Sequence, residues 1–398
     1  MKHTRRRFRV LLGIAWASLA MAQKPAVEDA WQLIAQGKRD QAVTLLRGVI
    51  QADARNADAR LLLGSILMEN GQRAESIAQL GEAVRLLPKS AEAHNALGEA
   101  YNAFGDATAA RPEFERAVAL DPQHAQAQVN LAAILVQQGD AQGAIPHLDR
   151  AIRLFGRRPD AAYPHYLRAG IYSEERDAAK ASAELQQAVE LRPDFAEAWS
   201  DLGEARKNLS DAKGALAAFR RAVALSPEDP VAQARLGAYL LDTGAAHDAV
   251  EHLDVAVRLD PKNPSALNAL QRALRRDGQA ERAEAAKKQL SELLRERDEA
   301  DQKLVAALEI NNRGAELEKA GDVRGALEKY RAALELLPEH AGIRANLAVA
   351  LLKLGNWEEG ISQMREALRR DPGNVDVQKA LEDALAQAKA HGIVPPKQ

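Results

Sequence analysis

Small and apolar residues return along this chain with a fixed period. Glycines at 71, 105 and 139 stand 34 residues apart, and Pro88 with Pro122, Pro193 with Pro227 and Pro261, and Pro338 with Pro372 keep the same spacing. Aligned on these, repeats begin at residues 23, 57, 91, 125, 162, 196, 230, 264, 307 and 341. Ten such repeats, with insertions at 159–161 and 298–306, fill residues 23–374. A fixed period of this length marks stacked supersecondary units that bury a face only against their neighbours.

Each repeat predicts two helices. Position 15 is Gly in eight of the ten, where a left-handed residue ends the first helix. Position 32 is Pro in seven, which stops the second helix before the next repeat starts. Position 8 is small in nine repeats, as at Gly98, Gly203 and Gly314, and position 20 is small in all ten, as at Ala110, Ala215 and Ala326. Position 27 is usually Ala, as at Ala117 and Ala222. Small residues let two helices approach closely, and larger ones at positions 7, 11 and 24 (Leu97, Tyr101, Phe114; Leu202, Phe219) fill the gaps.

The repeat starting at 196 carries Trp199, Leu202, Gly203, Ala215, Phe219, Ala222 and Pro227, and the one starting at 91 carries Leu97, Gly98, Tyr101, Ala110, Phe114, Ala117 and Pro122. This resembles the tetratricopeptide repeat (TPR) pattern W-x2-L-G-x2-Y…A-x3-F…A…P. The resemblance implies an all-α fold: a TPR-type α-solenoid, a right-handed superhelix of helix pairs with a concave groove. It also implies a non-catalytic protein-interaction role.

The pattern weakens in one place. Lys287, Leu290 and Arg295 replace the Phe, Ala and Pro expected in the repeat at 264, and no Gly or Pro occurs from Gln279 to Arg313. This stretch reads as one extended charged helix or two joined by a polar turn. The expected organisation is therefore repeats 1–8 over 23–297, an insertion or extended helix at 298–306, and repeats 9–10 over 307–374. A capping helix follows at 375–390, with Leu381 and Leu385 on one face, and then a disordered tail at 391–398.

Composition narrows the function classes. Hydrophobic residues make 46% of the 398-residue chain and aromatics only 4%. With 54 basic and 56 acidic residues the net charge is −2, which offers no global attraction to nucleic acid. There is no cysteine, so disulfides, thiolate metal sites and Cys nucleophiles are excluded. The N-terminus reads as an export signal over residues 1–22. Lys2, Arg5, Arg6, Arg7 and Arg9 form a basic start, Val10–Ala20 an apolar run, and Ala20-Met21-Ala22 a cleavage site. The run is too short to span a bilayer. Thr4-Arg5-Arg6-Arg7-Phe8 resembles a twin-arginine signal, with Arg9 as a departure; the general secretory route stays open. The expected location is periplasmic or secreted, with cleavage after Ala22.

No catalytic, cofactor-binding or metal motif is present. His247 and His252 lie on different helix faces, and His94 falls at position 4, a packing position. The TPR resemblance implies that first-helix positions 2, 5, 6, 9, 12 and 13 line the groove. They supply the candidate binding residues Glu92, Asn95, Glu99, Asn130, Tyr163, Tyr166, Glu174, Glu197 and Glu204. Further on, the row turns basic at Arg272, Arg275 and Arg276. The family's chaperone-tail clamp needs Lys and Asn where this chain mainly has acids. The family's asparagine ladder at position 6 is matched only by Asn130, Asn312 and Asn346. The expected partner is a protein or peptide segment of another exported or envelope protein, basic with an apolar or aromatic anchor. The two tyrosines have a competing reading, as packing around the 159–161 insertion. Competing readings of the whole chain are a self-assembling solenoid, an accessory subunit of an envelope enzyme complex, and an enzyme with an unrecognised groove site.

Overall fold

The computed structural model describes residues 25–390 and 392. The expected signal segment, its cleavage after Ala22, and the expected tail apart from residue 392 lie outside them. Twenty α-helices and no strand occur among the described residues. In repeats 1–4 they are α1 (Pro25–Ala35), α2 (Arg39–Ala52), α3 (Ala57–Glu69), α4 (Arg73–Leu86), α5 (Ala91–Ala103), α6 (Ala107–Leu120), α7 (Ala125–Gln137) and α8 (Ala141–Phe155). Repeats 5–7 give α9 (Ala162–Glu174), α10 (Ala178–Leu191), α11 (Ala196–Asn208), α12 (Ala212–Leu225), α13 (Pro230–Asp242) and α14 (Ala246–Leu259). Then follow α15 (Pro264–Arg276), α16 (Ala280–Lys319), α17 (Val323–Leu336), α18 (Ala341–Lys353), α19 (Trp357–Arg370) and α20 (Val375–Ala390). The insertion at 159–161 forms a single 3-10 turn.

The turn inside each repeat follows from two adjacent residues. Position 15 is left-handed in all ten repeats: eight times as Gly, and at Arg176 and Ser210 with φ of 60° and 61°. Position 16 then caps the second helix. Asp106, Asp140, Asp177, Asp211 and Asp322 each accept a hydrogen bond from the backbone N–H three residues on, a cap worth about 1 kcal/mol.

In the five repeats with Gly at position 8, packing depends on the missing Cβ. A Cβ on Gly98 or Gly203 would come within 2.6 Å of the Phe114 or Phe219 ring, and one on Gly314 within 2.7 Å of Tyr330. These rings and the alanines at positions 20 and 27, such as Ala215 and Ala222, are buried. The small-residue pattern read from the sequence is thus a set of close helix contacts.

The chain divides into two compact bodies, with the division between Leu259 and Asp260. The first holds repeats 1–7 and the second repeats 8–10 with the C-terminal helix. The division does not fall within the stretch that lost its Gly and Pro signals. That stretch is one continuous helix of 40 residues, α16, and lies wholly in the second body. The polar-turn alternative is not realised, because nothing there breaks the helical hydrogen-bond ladder. At the C-terminus, Ala384 and Ala388 of α20 pack with Ala348, Ile361 and Met364, while Leu381 and Leu385 cover that cluster.

Candidate functional site

In the first body, consecutive first helices touch: α3 meets α5, α5 meets α7, α7 meets α9, and α11 meets α13. Their contacts use a polar rule that recurs in the second body. Position 5 of one repeat meets position 6 of the next. Asn130 Nδ2 donates to Asn95 Oδ1 at 2.9 Å, Arg235 Nη1 to Ser200 Oγ at 3.0 Å, and Asn346 Nδ2 to Asn311 Oδ1 at 3.0 Å. The asparagine expected to match at 312 is exposed; its neighbour Asn311 makes the contact. The rule joins position 5 to position 6, so a search of position 6 alone misses half of each pair.

Four candidate residues come together on α5 and α7. Asn95 is 3% exposed, and its Nδ2 donates to Glu99 Oε1 at 3.1 Å. Asn130 donates to the same Glu99 oxygen at 2.9 Å and is itself held by Gln126 at 3.0 Å. Glu92 accepts from His124 Nε2 at 2.9 Å. Burial raises the Glu99 carboxyl above the usual glutamate range, with Glu92 reinforcing the effect and the two asparagines and His124 opposing it. For His124, burial acts downward, but the Glu92 carboxylate outweighs it and raises the imidazolium's pKa. Among the described residues Glu99 forms no ion pair with a Lys or Arg side chain.

The tyrosines form a second cluster one repeat further on. Tyr163 and Tyr166 stack with ring centroids 6.4 Å apart, and Tyr166 lies 4.8 Å from Phe195. The Arg192 guanidinium covers the Phe195 ring at 3.6 Å. Both tyrosines are half-buried against the core of repeats 5 and 6. Burial, then the nearby Asp201 and Glu197 carboxylates, push the Tyr166 phenol well above its ordinary value; burial does the same for Tyr163. They are thus part packing and part surface.

The remaining candidates do not form a bare negative wall. Glu204 is paired with Lys207 at 2.8 Å. Asp201, absent from the expected set, binds Arg235 at 2.5 Å. Glu174 and Glu197 are exposed, Glu174 at the last residue of α9 and Glu197 in the first turn of α11. Gln126 and Asp201 fall at groove positions that the sequence also points to, whereas sequence reasoning missed their neighbours His124 and Arg235. The 35-residue spacing of Ser200 and Arg235 was the available signal.

Tetratricopeptide repeat family profiles match residues 29–75, 62–125, 103–164, 166–230 and 206–264, and a second such profile matches 317–388. The chain belongs to the tetratricopeptide repeat family. Among solved TPR structures, PilF of Pseudomonas aeruginosa aligns over 54% of this chain and 98% of its own at 17% identity, TM-score 0.49. A TPR protein of Parabacteroides merdae aligns over 63% and 98% at 13% identity, TM-score 0.47. YrrB, a TPR protein with an unusual peptide-binding site, aligns over 47% and 95% at 19% identity, TM-score 0.39. No curated protein matches the sequence.

One TPR position accounts for four of the histidines, His94, His147, His165 and His252. Position 4, the Trp of the family pattern, is Trp199 in repeat 6, and its Nε1 donates to the Pro193 carbonyl at 3.0 Å. Gln128 and Gln233 make the same bond to Pro122 and Pro227 at 2.9 and 2.8 Å, and Arg344 makes it to Pro338. Each substitute keeps an N–H aimed at the carbonyl that ends the previous repeat. In repeats 2–5, 7 and 10, position 4 also bonds position 23 of its own second helix. His94 meets Glu113 and His165 meets Glu184 at 2.6 Å, and His147 donates to Gln128 at 2.7 Å. These histidines are pins between helices. No group of metal-ligating side chains occurs among the described residues, and no described helix is long and apolar enough to cross a membrane.

Proposed function

We propose that this TPR protein is an exported scaffold without catalytic activity. Its first-helix row in repeats 3–6 takes up a segment of another exported or envelope protein. The observation that carries the reading is Glu99: a half-buried carboxylate held by Asn95 and Asn130, with His124 nearby but no Lys or Arg of its own chain paired with it. A buried anion is costly without a cation, and a Lys or Arg of a bound segment supplies one. Beside it, Tyr163 and Tyr166 offer flat half-exposed rings for an apolar or aromatic anchor, since Tyr gives contact area at low entropic cost. Glu174 and Glu197 add negative potential that favours encounter with a basic segment.

Export rests on the basic start, apolar run and Ala20-Met21-Ala22 site, and N-terminal sequencing tests it: the exported protein begins at Gln23. Binding is tested by anisotropy with labelled peptides carrying Lys or Arg next to an aromatic residue. Glu174→Lys with Glu197→Lys weakens a basic peptide by roughly tenfold or more at low salt. Equal binding of basic and acidic peptides contradicts the reading.

A further inference from the structure

From Ser291 to Val305 every residue of α16 except Leu293 is exposed. Isolated exposed apolar side chains are ordinary. Here Leu294, Leu304, Val305 and Leu308 are 43%, 40%, 57% and 37% exposed within fifteen residues of one helix. Their arrangement has a period. Leu290, Leu294, Arg297, Asp301, Leu304 and Leu308 follow steps of 4, 3, 4, 3 and 4. That alternation is the seam of a two-stranded coiled coil.

The seam is also self-complementary. Turned end for end about its midpoint at Glu299, Leu290 faces Leu308, Leu294 faces Leu304, and Arg297 faces Asp301. A two-fold axis demands this relation, because each residue must meet its complement twice. A foreign helix would impose no such symmetry.

We infer that the middle of α16 seats a second copy of this chain, the two helices packing antiparallel. Charge decides the direction. Parallel pairing sets Arg297 against Arg297 and Asp301 against Asp301. Antiparallel pairing joins opposite charges at the centre, with leucine layers on both sides. Within one copy Arg297 and Asp301 face each other only loosely, at 3.9 Å and with side chains 69% and 68% exposed. A charged pair inside an apolar seam fixes register and orientation. Ala300, beside the seam, leaves room for close approach, while Asp298 comes beside its counterpart as the one like-charge contact near the centre. The seam spans about 27 Å at 1.5 Å per residue. That is under three heptads, so the dimer is weak and concentration-dependent.

Sedimentation equilibrium of the exported chain tests this. The wild type passes from monomer toward dimer mass with rising concentration. Arg297→Asp places acid against acid at the centre, and Asp301→Arg places base against base. Either change raises the dissociation constant by about tenfold or more. Mixing the two variants restores opposite charges at both central contacts and returns dimer mass. Both substitutions lie at exposed positions, and circular dichroism confirms that each variant keeps its helices. As a second route, Leu294→Ala with Leu304→Ala abolishes the dimer without touching charge. A wild type that stays monomeric at the highest attainable concentration overturns the proposal. So does a mixture no more associated than its parts.

Discussion

Gly203 lies against the Phe219 ring so closely that a Cβ on it would come within 2.6 Å of Cδ1. The ring is fully buried and cannot swing aside. Gly203→Ala therefore costs about 1–3 kcal/mol by overpacking, and Ala222→Leu, at a fully buried position, costs a similar amount. A helical-repeat array is stabilised by nearest neighbours, so the damage is local. Hydrogen exchange should lose protection in α11, α12 and their neighbours. An even loss over the whole chain contradicts the account.

Arg176 and Ser210 occupy the left-handed position that Gly fills in the other eight repeats. A side chain there costs about 1–2 kcal/mol, partly offset by the flexibility Gly adds to the unfolded chain. Arg176→Gly and Ser210→Gly are each expected to stabilise by about 0.5–1 kcal/mol. Denaturant midpoints measure it; a fall in both variants shows that the turns are not strained.

Glu99 and Glu184 should respond to pH in opposite ways. Burial raises the Glu99 carboxyl, so the folded state holds its proton to higher pH than the unfolded chain does. The stability linked to Glu99 is full below the ordinary glutamate value of 4.5 and is lost as pH rises through the raised value. Glu99→Gln keeps an oxygen for both asparagine bonds and removes the charge. It raises stability at pH 7, and the gain vanishes toward pH 4. A variant less stable than wild type at pH 7 contradicts this.

For Glu184, burial acts upward, but hydrogen bonds from His165 and Arg168 outweigh it and lower the carboxyl's pKa. Its stabilisation is present above the ordinary value of 4.5 and is lost as pH falls through the lowered one. Arg168 also pairs with Asp149, so this network ties α8, α9 and α10 together beside the 159–161 turn. Glu184→Gln should cost about 1–3 kcal/mol at pH 7. Urea unfolding curves for variant and wild type should converge in acid; a gap constant with pH rules out the charge as its source.

The pattern of small residues, the Gly turn and the Pro stop were legible because they answer to backbone and packing within one repeat. Gly98 beneath Phe114 needs only the local helix pair. The polar side of the first helices was less legible. Asp201 reads as an acid for a ligand, yet Arg235, 34 residues on, takes it. Glu204 is likewise met by Lys207 one turn away. Such pairings depend on which rotamers reach across to the next helix, which composition at groove positions does not reveal. His94 was readable as packing from its position, but not its bond to Glu113 nor the wider rule linking positions 4 and 23.

Hydrogen exchange on the protein, alone and bound to a partner recovered with it by pull-down, tests the central claim most directly. The account predicts new protection on α5, α7, α9 and α11, strongest around Glu99 and Tyr166, with the second helices unchanged. Protection gained only on the second helices, or only beyond Leu259, would contradict it.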